Sequence, residues 1–254
     1  MIPKKIHYCW FGRNPLPGSA RKCIESWKKY FPDHEIIEWN EDNYDVYKLP
    51  YLREAYESGK YAYVSDYARY DILYHEGGIY FDTDVEVISS FDDILSNGAF
   101  LGCEVNGKYS QDDARAEIKE EEYENYSIRV NPGLGMATES GTLFYKEILE
   151  LYKNLRFINA DGSFNSVAVV RNTTTTLVKY GLQDLGDRQT ILGINIYPMD
   201  YFNPLDSKTG LLHKTCNTHS IHWYTMSWMP LWKQKKVWIG KQIRKVMYLL
   251  KINC

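Results

Sequence analysis

The chain opens on an unbroken apolar run, Lys5-Ile6-His7-Tyr8-Cys9-Trp10-Phe11, closed by Gly12 and the Pro15/Pro17 pair. A run too short for a helix and bounded by turn residues predicts a buried strand. Ala20, Cys23, Ile24 and Trp27 then recur at helical spacing over 19–30, and Ile36-Ile37 centre a second strand over 34–39. Helices follow over 52–60 and from Ser65, read as an N-cap, to the Gly77-Gly78 stop. Ile79-Tyr80-Phe81 reads as a short buried strand, and strand character resumes over 85–88. Beyond it, 131–133 reads as a turn, 141–155 as an amphipathic helix, 194–198 as a strand and 201–210 as a polar turn region. A β-α-β opening of this kind predicts an α/β fold with a mostly parallel central sheet flanked by helices.

Composition narrows the class. In 254 residues, 44% are hydrophobic and 25% charged, which excludes wholesale disorder. A net charge of −3 argues against a nucleic-acid binder. Five scattered cysteines, with no C-x-x-C pair, exclude a disulfide framework and a structural zinc site and fit a reducing compartment. The start shows no apolar signal region and no window is apolar enough to span a membrane, so a cytoplasmic, soluble chain is expected.

Charge patterning divides the chain. The acidic stretch 112–124 reads as a solvated face. From Trp232 onward there are Lys233, Lys235, Lys236, Lys241, Arg244, Lys245 and Lys251 and no acidic residue. Val237, Trp238, Ile239, Ile243, Val246, Met247, Leu249 and Leu250 interleave with them. The expected organisation is therefore one domain over 1–231 and a basic amphipathic tail over 232–254. That tail is either a solvated helix or, the reading preferred here, an interfacial helix on the inner face of the cell membrane.

Candidate chemistry centres on Asp82-Thr83-Asp84 at the end of the strand. In extended backbone both carboxylates project to one side, where hard oxygen ligands suit Mg²⁺ or Mn²⁺. A calcium-binding EF-hand loop is excluded, since Val87 stands where its sharp turn needs glycine. A bare D-x-D is common, but Asp66 and Arg69 share a face of the preceding helix and add to the polar set. The block Ser65-Asp66-x-x-Arg69-Tyr70-x-x-Leu73 and Gly77-Gly78-Ile79-Tyr80-Phe81-Asp82-x-Asp84 resembles glycosyltransferase family 32, the bacterial capsular and exopolysaccharide sugar transferases with relatives in yeast mannosyltransferases and clostridial glucosylating toxins. The opening Ile2 to Gly12 and the closing Ser220-Ile221-His222-Trp223 with Ser227-Trp228 extend the resemblance over roughly residues 1 to 228.

The resemblance implies a GT-A fold and metal-dependent, retaining transfer of a hexose from a nucleotide sugar, with UDP-galactose or UDP-glucose ahead of GDP-mannose. It implies that Asp82, Asp84 and His222 bind the metal, with His219 the lesser candidate. Tyr8, Trp10, Phe11 and Gly12 would border the base, while Asp66, Arg69 and Asp82 hold the donor and Ser227 and Trp228 cap its phosphates. The implied catalytic set is Asp66, Arg69, Asn131 and Trp228. The acceptor would be a saccharide or a lipid-linked sugar of surface polysaccharide synthesis. Two other readings compete. Apolar strand followed by D-x-D also fits a haloacid-dehalogenase-type phosphatase with Asp82 as nucleophile, and a non-catalytic nucleotide-sugar binder would keep the same residues.

Overall fold

A computed structural model describes residues 1–226, 229 and 231–252. In chain order the elements are β1 (Lys5–Cys9), α1 (Gly18–Tyr30), β2 (Glu35–Trp39), α2 (Pro50–Glu57), α3 (Tyr61–Glu76), β3 (Gly78–Tyr80), β4 (Val85–Val87), α4 (Asp92–Ser96) and β5 (Phe100–Val105). They continue with β6 (Arg129–Thr138), α5 (Leu143–Lys153), α6 (Val169–Lys179), β7 (Gln189–Ile191), β8 (Ile194–Tyr197), α7 (Met199–Phe202), β9 (Ser220–His222) and α8 (Leu231–Ile252).

Seven strands form one sheet in the order β2-β1-β3-β6-β5-β8-β7. β2, β1, β3, β5 and β8 share one direction, and β6 and β7 run against them. This is the mostly parallel α/β sheet that the β-α-β opening predicts. Period-two alternation sends its side chains into two cores. Ile6, Tyr8, Ile79, Phe81 and Phe100 join the core under α1, while Cys9, Tyr80, Leu101 and Met136 join the one under α3 and α5.

Two departures from the sequence reading bear on the site. Ser65 is not a cap: α3 begins at Tyr61, and the Ser65 hydroxyl donates to Tyr61 O inside the helix. Nor is 131–133 a free turn. It lies within β6, where Leu101 pairs with Met136 but Gly102 pairs with Asn131. The extra residues form a bulge that takes Pro132 out of the ladder. The acidic stretch holds two short 3₁₀ turns, Ala114–Ala116 and Glu120–Glu122. The turn region over 201–210 begins inside α7.

The α3 stop is as expected. Gly77 and Gly78 both take positive φ (64° and 98°), and a Cβ on Gly78 would lie 2.8 Å from Lys5 O. Only glycine lets β3 leave α3 so close to β1. Among the described residues, no helix is long and apolar enough to cross a membrane.

Candidate metal and nucleotide-sugar site

β4 lies outside the main sheet and pairs antiparallel with β9. α1 holds it in place: Trp27 Nε1 donates to Val85 O (2.8 Å), Tyr30 OH donates to Ile88 O (2.7 Å), and Val87 N donates to Ser26 Oγ (2.9 Å). The amphipathic face of α1 thus fixes where Asp84 begins. Between β3 and β4 the chain bends, with Val85 N donating to Asp82 O at 3.0 Å. The carboxylates of Asp82 and Asp84 therefore converge around a turn, not through strand alternation.

Register brings the third member. Val85 is paired with His222, and His222 Nε2 sits 3.1 Å from Asp84 Oδ1 and 3.9 Å from Asp82 Oδ2. One ligand atom from each of the three lies within 4.8 Å of the others. His222 Nδ1 is buried without a hydrogen-bond partner, so the ring is held by its Nε2 edge and by Tyr224, 4.2 Å away between centroids. Two carboxylates and one imidazole fit Mn²⁺ or Mg²⁺ with positions left for diphosphate oxygens. His219 is placed elsewhere, its Nδ1 2.5 Å from Ser90 O and its ring against Phe91.

Sequence reasoning missed the group that orients Asp84. Thr225 donates its N–H (2.8 Å) and its hydroxyl (3.1 Å) to Asp84 Oδ2. Tyr224 and Met226 on either side both take φ of 49°, a region that costs a non-glycine residue about 1–3 kcal/mol. No local pattern in the sequence signals this. Tyr80, read as core, is buried but donates its hydroxyl to Asp82 Oδ1 (3.1 Å). Its position two residues before Asp82 on a strand is a signal that could have found it.

A second charged set adjoins the first. Arg69 Nη2 reaches Asp66 Oδ1 at 3.0 Å and Asp82 Oδ1 at 3.2 Å, while its Nε donates to Ser65 O and its guanidinium lies 5.1 Å from the Tyr80 ring. Asn131 arrives from the β6 bulge. Its Nδ2 donates to Glu104 Oε2 (3.1 Å) and its Oδ1 accepts from Gly133 N (2.8 Å). A Cβ on Gly133 would lie 2.2 Å from Asp82 Oδ2 and 3.1 Å from Asn131 Oδ1, so glycine is required for the bulge to touch the acidic turn.

The end of β1 is placed differently. Tyr8 and Phe11 are buried, the Tyr8 hydroxyl bonded to Glu38 (2.6 Å) and Phe11 packed on Tyr44. Trp10 is partly exposed and donates to Asn14 O (2.5 Å). Gly12, with φ of 95°, donates to Glu41 (2.6 Å), and the Tyr61 ring leaves no room for a Cβ there. Ser227 and Trp228 lie outside the described residues.

Electrostatics divide the carboxylates. Burial would raise Asp84, but His222 and the Thr225 donors outweigh it and hold its carboxyl well below the usual range. Burial would lower His222, but Asp84 and Asp82 outweigh it and raise the imidazole to about 10. Metal uptake must therefore displace a proton from His222. Asp66 goes the other way: burial, with Asp82 adding, pushes it from 3.8 to about 6 against the pull of Arg69.

The folded chain thus keeps the Asp66 proton to higher pH than the unfolded chain, so stability falls as pH rises from about 4 to about 6. The full cost is about 3 kcal/mol. Asp66→Asn in EDTA at pH 7.5 is therefore expected to melt a few degrees above wild type. A lower Tm would show that the pair with Arg69 outweighs burial.

Part of the chain is similar to known proteins. Residues 17–101 match the family model described as a glycosyltransferase sugar-binding region containing a DXD motif. Inositol phosphoceramide mannosyltransferase 1 of Schizosaccharomyces pombe is 30% identical over 111 residues, 39% of this chain and 33% of that protein. Mannosyl phosphorylinositol ceramide synthase CSH1 of Saccharomyces cerevisiae is 32% identical over 109 residues, 40% of this chain and 28% of that protein. The chain thus spans about a third of the length of these relatives. A solved glycosyltransferase involved in glycosylation of the major capsid of PBCV-1 is 13% identical with a TM-score of 0.44, over 91% of this chain and 98% of that one. The match favours the glycosyltransferase reading of Asp82 and Asp84 over the phosphatase one. Over residues 17–101 the chain is therefore similar to a glycosyltransferase sugar-binding region, and Asp82-Thr83-Asp84 lies within the matched residues as a D-x-D sequence.

Proposed function

We propose that the chain transfers a hexose from a nucleotide sugar to a saccharide or lipid-linked acceptor, with retention, in surface polysaccharide synthesis on the cytoplasmic side of the membrane. The observation that carries the transfer reading is the convergence of the Asp82–Asp84–His222 set and the Asp66–Arg69 pair at one place, joined through Asp82. Retention and the polysaccharide setting rest on the family resemblance.

Asp82, Asp84 and His222 would hold Mn²⁺ or Mg²⁺, which when bound supplies positive charge against the charge that grows on the departing diphosphate. Asp66 accepts, and Arg69 donates, hydrogen bonds to the donor sugar hydroxyls. Because Arg69 is pinned by two carboxylates and a carbonyl, its remaining donors point in a fixed direction before the donor arrives. Asn131 keeps one amide hydrogen beyond its bond to Glu104 and offers it on the sugar side. The edge formed by Trp10 and Gly12 borders the base; the phosphate role of Ser227 and Trp228, which lie outside the described residues, rests on the resemblance alone.

UDP-galactose or UDP-glucose is the first reading of the donor. The yeast relatives are an inositol phosphoceramide mannosyltransferase and a mannosyl phosphorylinositol ceramide synthase, and this favours a mannose donor and a lipid acceptor as the second.

A thermal-shift panel of UDP, GDP, CDP and their sugars, each with Mn²⁺ or EDTA, tests the proposal. A metal-dependent rise in Tm with one nucleotide is expected, since a ligand of the native state stabilises it by mass action. Release of the nucleotide from the matching sugar donor then separates a transferase from a binder that does not turn over. No shift with any nucleotide in Mn²⁺ would overturn the assignment.

A further inference from the structure

α8 has two faces of different character. Its inner face meets the body: Arg244 Nε donates to Lys208 O (2.7 Å), and Lys241, partly buried, lies 5.9 Å from the Tyr224 ring. Tyr224 is the residue packed on His222. Between α8 and α1 runs a cleft of about 620 Å³, walled by Trp223, Thr225 and Val237 and edged by Lys22 and Lys241.

The outer face is apolar and bare. Trp232, Ile239, Ile243, Val246, Met247 and Leu250 are each more than half exposed. From Ile239 they fall at i, i+4, i+7, i+8 and i+11, a single stripe along the helix. A stripe of this length on a soluble surface marks something that covers it.

Charge decides what does. The 22-residue helix has seven Lys and Arg and no acidic residue, although the whole chain carries −3, so the rest of the protein is strongly acidic. Lys236, one turn on from Trp232, shares the stripe's arc, and Lys235 beside it sits at the rim of the cleft. Pairing with a second copy through this face would bring those cations together. An anionic bilayer instead gives the stripe an apolar boundary and the neighbouring lysines counter-charges, while the net acidic charge of the rest of the chain disfavours its docking there. Tryptophan at the first turns suits the headgroup level.

We infer that the outer face of α8 docks on an anionic lipid surface, with Ile239, Ile243, Val246, Met247 and Leu250 in the acyl boundary and Trp232, Lys235 and Lys236 at the headgroups. Docking in this way sets the bilayer beside the cleft next to Thr225, one helix away from the acidic triad. The inference does not depend on the transferase reading and its test does not use activity.

The test is co-sedimentation of the full chain with phosphatidylcholine vesicles, with and without phosphatidylglycerol, at low and high salt. Binding is expected only to the anionic vesicles, weaker at high salt. Ile239→Glu with Ile243→Glu should lose it by about tenfold or more while circular dichroism and Tm stay at wild-type values. Since both side chains are exposed, folding is not at stake, and Lys235→Glu with Lys236→Glu gives an independent second loss. No binding to anionic vesicles, or equal binding by the Ile239/Ile243 variant, overturns the inference. A dimer by light scattering that the same variant dissolves also overturns it, in favour of a second copy on the stripe.

Discussion

Asp84→Asn is expected to lower transfer by about a thousandfold or more while the protein stays folded. Asp84 has its two oxygens committed to different partners: Oδ1 faces His222 and Oδ2 takes both donors of Thr225. Asparagine keeps the volume and one acceptor oxygen, so the Thr225 bonds survive while the anion disappears. Without it the site has one carboxylate left, and His222 loses the charge that keeps its imidazole protonated. Two readouts follow from the same variant. Turnover should collapse, and the Mn²⁺-dependent part of any thermal shift with nucleotide should vanish. Thr225→Val supplies the graded comparison, because it removes only the hydroxyl that orients Asp84 and should cost about tenfold to a hundredfold. An Asp84→Asn variant that keeps a tenth of wild-type turnover would remove Asp84 from the metal site.

How far the sequence anticipates this site depends on how local each contact is. Strand β1, helix α1 and the α3–Gly77–Gly78–β3 passage are written in short-range signals: an apolar run, a 3.6 period, a glycine pair. Asp66, Arg69, Asp82 and Asp84 sit in that passage and are legible for the same reason. His222 is far along the chain, and only the family pattern points to it over His219. The β4–β9 pairing that delivers it is non-local, and three-residue strands such as β9 carry no periodicity of their own.

Thr225 depends on that pairing and on two left-handed residues, so it was not legible at all. The errors have the same physical origin. Ser65 looks like a cap in isolation, but packing of Tyr61 on Gly12 extends α3 one turn further back. Asn131-Pro132-Gly133 looks like a turn in isolation, but β3 and β5 on either side hold β6 through it as a bulge. The outer stripe of α8 was readable from spacing, whereas the contact of Lys241 with Tyr224 needed the fold.

Arg69 carries the largest combined effect. It is buried with only 5% of its side chain exposed, and two carboxylates, Asp66 and Asp82, point at its guanidinium. Removing it leaves those carboxylates facing each other without a counter-charge. Arg69→Ala should therefore destabilise the protein by about 3–5 kcal/mol, a fall in Tm of roughly 10 °C for a chain of this size, and abolish transfer. Arg69→Lys should not rescue it: a single ammonium cannot reach Asp66, Asp82 and Ser65 O together as the guanidinium fork does.

The charge argument makes a sharper claim about a pair of variants. Asp66→Asn removes one of the two repelling anions, so in the Arg69→Ala background it should recover a large part of the lost Tm. The coupling between the two sites is expected to be about 1–3 kcal/mol, measured by thermal denaturation of the four proteins in the cycle. Transfer should stay absent throughout, because stability returns without the groups proposed to hold the sugar. If Arg69→Ala melts within about 2 °C of wild type, the guanidinium is not neutralising two buried anions, and the Asp66–Arg69–Asp82 chain is not the unit that couples the donor site to the metal site.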